Sequence, residues 1–227
     1  MESPKLDIKL ENEKHSFIIE ERDVSKIKLI YPFIHDAITF KLTEQEEELL
    51  LQSYDQIASY CLGSKKYMTK FYSLNPLTKT VKIIVPKNSI RYLSANLENG
   101  DIFLKNVSMQ KAKITCIRGN IKITDSSMMS LAINGFQSNV SIKNLESNNC
   151  LVTTKAGDIS LEELLPRLTM LKTEIGDIKV SSEDNGIKNT LFNIESKHIQ
   201  KSVAPTEELQ KVIRCVAPYG SVDVNVL

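Results

Sequence analysis

Tryptophan is absent from this chain and aromatic residues make up only 6% of it, so a cleft that grips sugars by ring stacking has little to be built from. An excess of one charge is missing too. The net charge of +1 argues against a dedicated nucleic-acid binder, so no nucleic-acid partner is expected. No apolar run is long enough to span a bilayer, which excludes membrane insertion through a helix. Met1 to Leu10 is charged and carries no apolar core, so no secretory signal is read there and a cytoplasmic location is expected.

The chemistry-bearing residues are equally sparse. Cys61, Cys116, Cys150 and Cys215 show no metal-ligand spacing and are expected to be buried, reduced thiols. His15, His35 and His198 are scattered, and none pairs with Cys or a carboxylate at ligand spacing. A Gly-Lys-Ser/Thr loop, a Gly-x-Ser-x-Gly elbow and a two-histidine zinc helix are all missing. The expectation is a protein that is not an enzyme, with no catalytic residue, no cofactor and no metal.

What the chain does have is a triplet that returns every 19 residues. It reads Gly100-Asp101-Ile102, Gly119-Asn120-Ile121, Ser138-Asn139-Val140, Gly157-Asp158-Ile159 and Gly176-Asp177-Ile178. A fixed period of this kind is the mark of a repeat architecture. Seven residues before the triplet stand Leu93, Ala112, Leu131, Cys150 and Thr169, and five before it Ala95, Ile114, Ile133, Val152 and Leu171. Two residues after its start come Ile102, Ile121, Val140, Ile159 and Ile178, and four after it Leu104, Ile123, Ile142, Leu161 and Val180. Within each pair of columns the spacing is two, the period of a strand with one buried face. Ile and Val dominate the second pair, as pleated surfaces favour.

The triplet itself reads as a bend, because Gly accepts positive φ freely and Asn or Asp more readily than most residues. The structural turn residues are therefore Gly100, Asp101, Gly119, Asn120, Asn139, Gly157, Asp158, Gly176 and Asp177. Asp158 and Asp177 on adjacent repeats suggest a weak cation site, but Asn120 and Asn139 fill the same column, which favours a turn role. The predicted fold is all-β, a parallel β-solenoid (β-helix) of about 19-residue coils. One coil cannot bury enough surface to stand alone, so neighbours must share stability. The outward columns, such as Phe103, Lys122, Ser141, Ser160 and Lys179, read as a mildly basic solvated face.

Around this array the pattern is less regular. Residues 1–91 read as a β-rich N-terminal capping portion, and 92–227 as the repeats with an irregular C-terminal cap. Strands are expected at Phe17–Ile19, Ile27–Ile30, Ile38–Phe40, Tyr67–Leu74, Thr80–Val85 and Leu191–Ile194. Thr43 to Leu62 is ambiguous: Thr43 and Glu46 form a capping box that favours a helix, while Glu48–Tyr54 also suits an edge strand. Ser182 to Gly186 reads as a turn-rich insertion. Thr206 to Arg214 reads as a short helix, capped by Thr206 with Glu207 and Glu208 in its first turn. Gly220-Ser221-Val222 looks like a final triplet, 44 residues after Gly176.

Val81-Lys-Ile-Ile-Val85-Pro86, followed by Leu93-Ser-Ala-Asn-Leu97-Glu-Asn-Gly100-Asp101-Ile102, resembles the DUF4097 family of adhesin-like β-strand-repeat proteins. The resemblance covers about residues 17–227 and is strongest over 80–182. It implies a β-solenoid with a β-rich N-terminal portion, draws Glu48–Tyr54 toward strand, and brings no catalytic residues. The function expected is a non-catalytic scaffold or interaction module with a protein partner. A polymer-forming cytoskeletal solenoid and a carbohydrate-active β-helix enzyme are the alternatives. The enzyme would need carboxylates or Arg clustered on one outward face, where this chain holds mostly Asn, Thr, Ser and Lys.

Overall fold

The period-two apolar columns find their partners one repeat away. In the computed structural model, β8 (Ile90–Asn99) lies parallel to β10 (Ser108–Ala156), with Leu93 opposite Ala112 and Ala95 opposite Ile114. On the far side of the triplet, β9 (Ile102–Lys105) sets Ile102 opposite Ile121. The same step joins β10 to β11 (Ile159–Glu162) and to β12 (Leu168–Ile175), and β11 to β13 (Ile178–Ser182). Each rung therefore contributes two faces that meet at the triplet. β10 runs through several rungs because its bends do not interrupt the pairing.

The structure describes residues 6–12, 15–25, 27–32, 37–43, 48–54, 68–73, 80–163, 165–183, 189–201 and 211–226. Among these there is no helix, and so none long and apolar enough to cross a membrane. The strands form one 15-stranded sheet. Every side chain in the four predicted inward columns is buried, from Leu93 to Val180. Each such Ile, Leu or Val contributes about 1.5–3 kcal/mol on leaving water.

The ladders extend beyond the regular array at both ends. β1 (Leu6–Asn12) lies against β8, with Ile8 opposite Leu93 and Leu10 opposite Ala95. β2 (Ser16–Arg22) lies against β9, with Phe17 opposite Ile102. Arg91 clamps β1 to β8 by a two-pronged ion pair with Asp7. These first strands are thus a rung of the same stack, and a boundary between 91 and 92 would cut β8. Outside them lie β5 (Glu48–Tyr54), beside β1, and β7 (Thr80–Pro86), beside β2. β3 (Ile27–Pro32), β4 (Ala37–Thr43) and β6 (Met68–Ser73) complete that end, β3–β7 and β4–β5 being antiparallel.

One ambiguity resolves to its strand alternative and one helix reading fails. Glu48–Tyr54 is strand β5, because β1 offers it a parallel template that sets Leu49 opposite Ile8 and Leu51 opposite Leu10. Tertiary pairing overrides the capping signal at Thr43, itself the last residue of β4. The remainder of that stretch, 55–62, lies outside the described residues. At the other end, β15 (Lys211–Val226) begins where the helix expected over Thr206–Arg214 should still be running. Ile213 and Cys215 are needed in the inward columns above Thr169 and Leu171. Residues 206–210, and the 184–186 part of the expected turn insertion, lie outside the described residues.

Thr169 is a polar defect in this core. It is buried in an otherwise apolar column between Cys150 and Ile213, and its hydroxyl has no hydrogen-bond partner. A buried hydroxyl without a partner costs about 1–3 kcal/mol. Thr169→Val keeps the shape and removes the defect. It is expected to raise the thermal midpoint, and a lowered midpoint would mean that the hydroxyl is satisfied.

Candidate functional site

The triplet corner gathers polar residues that stack in a single line. Gly100, Gly119, Gly157 and Gly176 have φ of 154°, 145°, 141° and 145°. A Cβ on any of them would run into the backbone carbonyl oxygen of the rung below, that of His15, Gly100, Ser138 or Gly157 respectively. Close approach of backbones and positive φ both demand glycine here. Ser138 stands in the same column without a positive φ, and its hydroxyl donates to the Cys116 carbonyl at 3.1 Å. Gly135 makes room for it, since a Cβ there would sit 2.9 Å from the Ser138 Cβ.

Asp101, Asn120, Asn139, Asp158 and Asp177 also stand one above another, but none has a positive φ. Their role is different from the one their φ tolerance suggested. The side chain of each rung holds the next rung. Asn120 N–H donates to Asp101 Oδ1 at 2.6 Å, Asp158 N–H to Asn139 Oδ1 at 3.0 Å, and Asp177 N–H to Asp158 Oδ1 at 2.9 Å. Between Asn120 and Asn139 the link is amide to amide, at 3.3 Å. The line starts at Ser16, whose hydroxyl accepts from Asp101 N–H, and ends at Ser221, whose N–H donates to Asp177 Oδ1 at 2.7 Å. A parallel line runs inside it, in which Thr154 and Thr173 donate to the carbonyls of Ser138 and Gly157.

The electrostatics follow from these bonds. The backbone N–H and hydroxyl of Ser221 hold the Asp177 carboxyl below its usual 3.8. A depressed folded value contributes stability above the unfolded one, and that contribution disappears as pH falls through the folded value. Asp177→Asn keeps the accepting oxygen and removes the titration. Its melting temperature is expected to fall less steeply than that of the parent as pH drops below the usual carboxylate range; parallel curves would count against the bond. Glu21 behaves in the opposite sense. Burial pushes its carboxyl up, against backbone N–H groups of Asn88, Ser108, Ile90 and Ser89 that pull it down. Burial alone raises the thiols of Cys150 and Cys215 to about 12, so both are inert as nucleophiles.

A second corner was not read from the sequence. Asn106, Asp125, Asn144 and Glu163 take φ of 52°, 50°, 55° and 68°, where the second face of each rung turns away. Asn144 Nδ2 donates to Asp125 Oδ1 at 2.9 Å across the rungs. The signal was present as Asn106, Asp125 and Asn144 at the triplet's own spacing, and it faded only when Glu163 took the next place. Beside this corner lies an open groove of about 300 Å³, lined in part by Ser108, Asp125, Ser127 and Glu146. Among the described residues no three His, Cys, Asp or Glu side chains converge to hold a metal ion. His15 is buried at the foot of the glycine line, and His198 is exposed on β14 (Thr190–Lys201).

These features define a class: an all-β protein of parallel rungs, stacked on glycine corners and laced by Asx side chains. Residues 5–197 match the family model described as Toastrack DUF4097, and the chain belongs to that family. The comparison with curated proteins gives no match. Among solved structures, the chain is similar to a "putative cell adhesion protein" from Clostridium sporogenes, at 10% identity and a TM-score of 0.37, covering 99% of this chain and 94% of that one.

Proposed function

We propose that the protein is a non-catalytic scaffold, a parallel β-solenoid of 19-residue coils that presents its faces to a protein partner. One observation carries this reading. The polar line from Asp101 to Asp177 spends its hydrogen bonds on holding rung to rung. Such a line has structural work and no substrate to meet. The Toastrack family, β-solenoid-like in fold, agrees with the coil reading. The outward first face supports a protein partner: Ile117 and Phe136, on neighbouring rungs, are 43% and 47% exposed. Lys155 lies over the Phe136 ring at 4.7 Å, an amphipathic surface of the kind that protein interfaces use. The buried free thiols Cys116, Cys150 and Cys215 suit the cytoplasmic location included in this proposal.

The test is chemical. Elemental analysis of the purified protein is expected to find no stoichiometric zinc or calcium, and a polysaccharide panel to show no turnover. Turnover that disappears in Asp158→Ala would overturn the scaffold reading in favour of an enzyme. Sizing across a concentration series is expected to show a discrete species. Filaments would favour the polymer-forming alternative.

A further inference from the structure

The last strand in the chain is not the last strand in the sheet. β15 lies between β12 and β13 on one side and β14 on the other, although β14 precedes it in sequence. Its inward side chains Ile213, Cys215, Ala217, Val222 and Val224 are fully buried. β14, the outer rung, pairs with β15 and with no other described strand. A strand that comes later in the chain yet lies deeper in the stack enters its place only while the outer rung is open.

The place fits β15 in two respects. β15 brings a glycine to the point directly above Gly176, where a Cβ at Gly220 would strike the Gly176 carbonyl. Gly100, Gly119, Gly157 and Gly176 meet the rung beneath each of them in the same way, whereas the rung of Ser138 carries a Cβ at its corner. β14 contains no glycine at all. It also crosses the corner with fewer residues: Ser196 faces Ala217 and His198 faces Ser221, so Lys197 alone spans Pro218, Tyr219 and Gly220. β14 is therefore shaped to sit on β15, with Ser196 Oγ donating to the Gly220 carbonyl at 2.7 Å, and is not shaped to close down on β13. When β15 is out, what fits the slot is a β15.

We propose that β15 is an exchangeable strand, and that two copies of this chain trade it to form a closed dimer. Each slot between β13 and β14 then holds the β15 of the other copy. The swapped dimer keeps the ladders that β15 makes with β12, β13 and β14, which makes such exchange low in cost. Below roughly millimolar concentration the chain's own strand wins, because it is tethered next to the slot. Exchange therefore requires opening in concentrated solution, and the product persists on cooling because escape needs the same opening. The inference concerns assembly and stands independently of the scaffold reading.

The pairing of Lys179 with Asp223 provides the probe. Lys179→Cys is made in one full-length chain and Asp223→Cys in another carrying a different tag. The double variant in a single chain is expected to close the same disulfide internally, as neighbouring positions on a parallel ladder should. The two single variants are mixed at near-millimolar concentration, warmed to the foot of the melting transition, cooled and oxidised. The expected result is a covalent dimer whose linked peptides carry positions 179 and 223, with a yield that rises with concentration. Monomers alone, or dimers linked elsewhere, would overturn the exchange. Failure of the double variant to close its disulfide would overturn the register on which it rests.

Discussion

Val140→Asp is expected to abolish cooperative folding at ordinary temperatures or to lower the thermal midpoint drastically. Val140 is 2% exposed and stands in the inward column between Ile121 and Ile159. An ionised carboxylate there would be buried among aliphatic side chains with no cation to meet it. The cost, about 4 kcal/mol or more, is comparable to the whole stability of many domains. The neighbouring rungs share the damage, because each is held mainly by the rungs on either side. Val140→Ile separates this effect from mere intolerance of change, since four rungs of the array carry Ile in that column; it is expected to shift the midpoint by no more than a few degrees. An Asp variant that melts with the parent would mean that position 140 does not face the core.

That column was legible because its signal is redundant. Ile102, Ile121, Val140, Ile159 and Ile178 repeat one message, and the structure buries all of them. The all-β class followed from the same redundancy. What escaped was information carried once. The stretch from Thr43 to Leu62 carried both a helix and a strand signal, and it is β1, distant in sequence, that pairs with Glu48–Tyr54 as strand β5. Lys211–Arg214 follows a convincing helix start, yet Ile213 is claimed by the column above Thr169. The corner was half legible. Its glycines were found with the right backbone reason, whereas the Asx residues were credited with φ tolerance and in fact bond from rung to rung. No spacing rule distinguishes those roles, because both favour Asn and Asp. The spatial order β13, β15, β14 could not be read at all, since a repeat pattern says that rungs stack without saying which segment fills which level.

The corner glycines make the second large effect, and it separates two causes that the sequence merges. Gly157→Val is expected to destabilise by about 3 kcal/mol or more, through strained backbone and backbone collision together. Its φ of 141° is one that side-chain-bearing residues rarely adopt. The atoms that its Cβ would strike are the carbonyl carbon and oxygen of Ser138, with Asn139 Oδ1 at 3.1 Å behind them. The two Ser138 backbone atoms cannot swing aside as the tip of a side chain could, and moving Ser138 would disturb the bond from Thr154 to its carbonyl. Gly157→Ala is expected to cost nearly as much, because the offending atom is the Cβ itself and Val only adds to it. Ser138→Ala supplies the contrast. That rung already accommodates a Cβ, so the change loses only the hydroxyl's bond to Cys116, about 1 kcal/mol. Chemical denaturation of the three variants measures all of these together. A Gly157→Ala variant as stable as Ser138→Ala would show that the corner relaxes, and that glycine recurs there for a reason other than backbone contact between rungs.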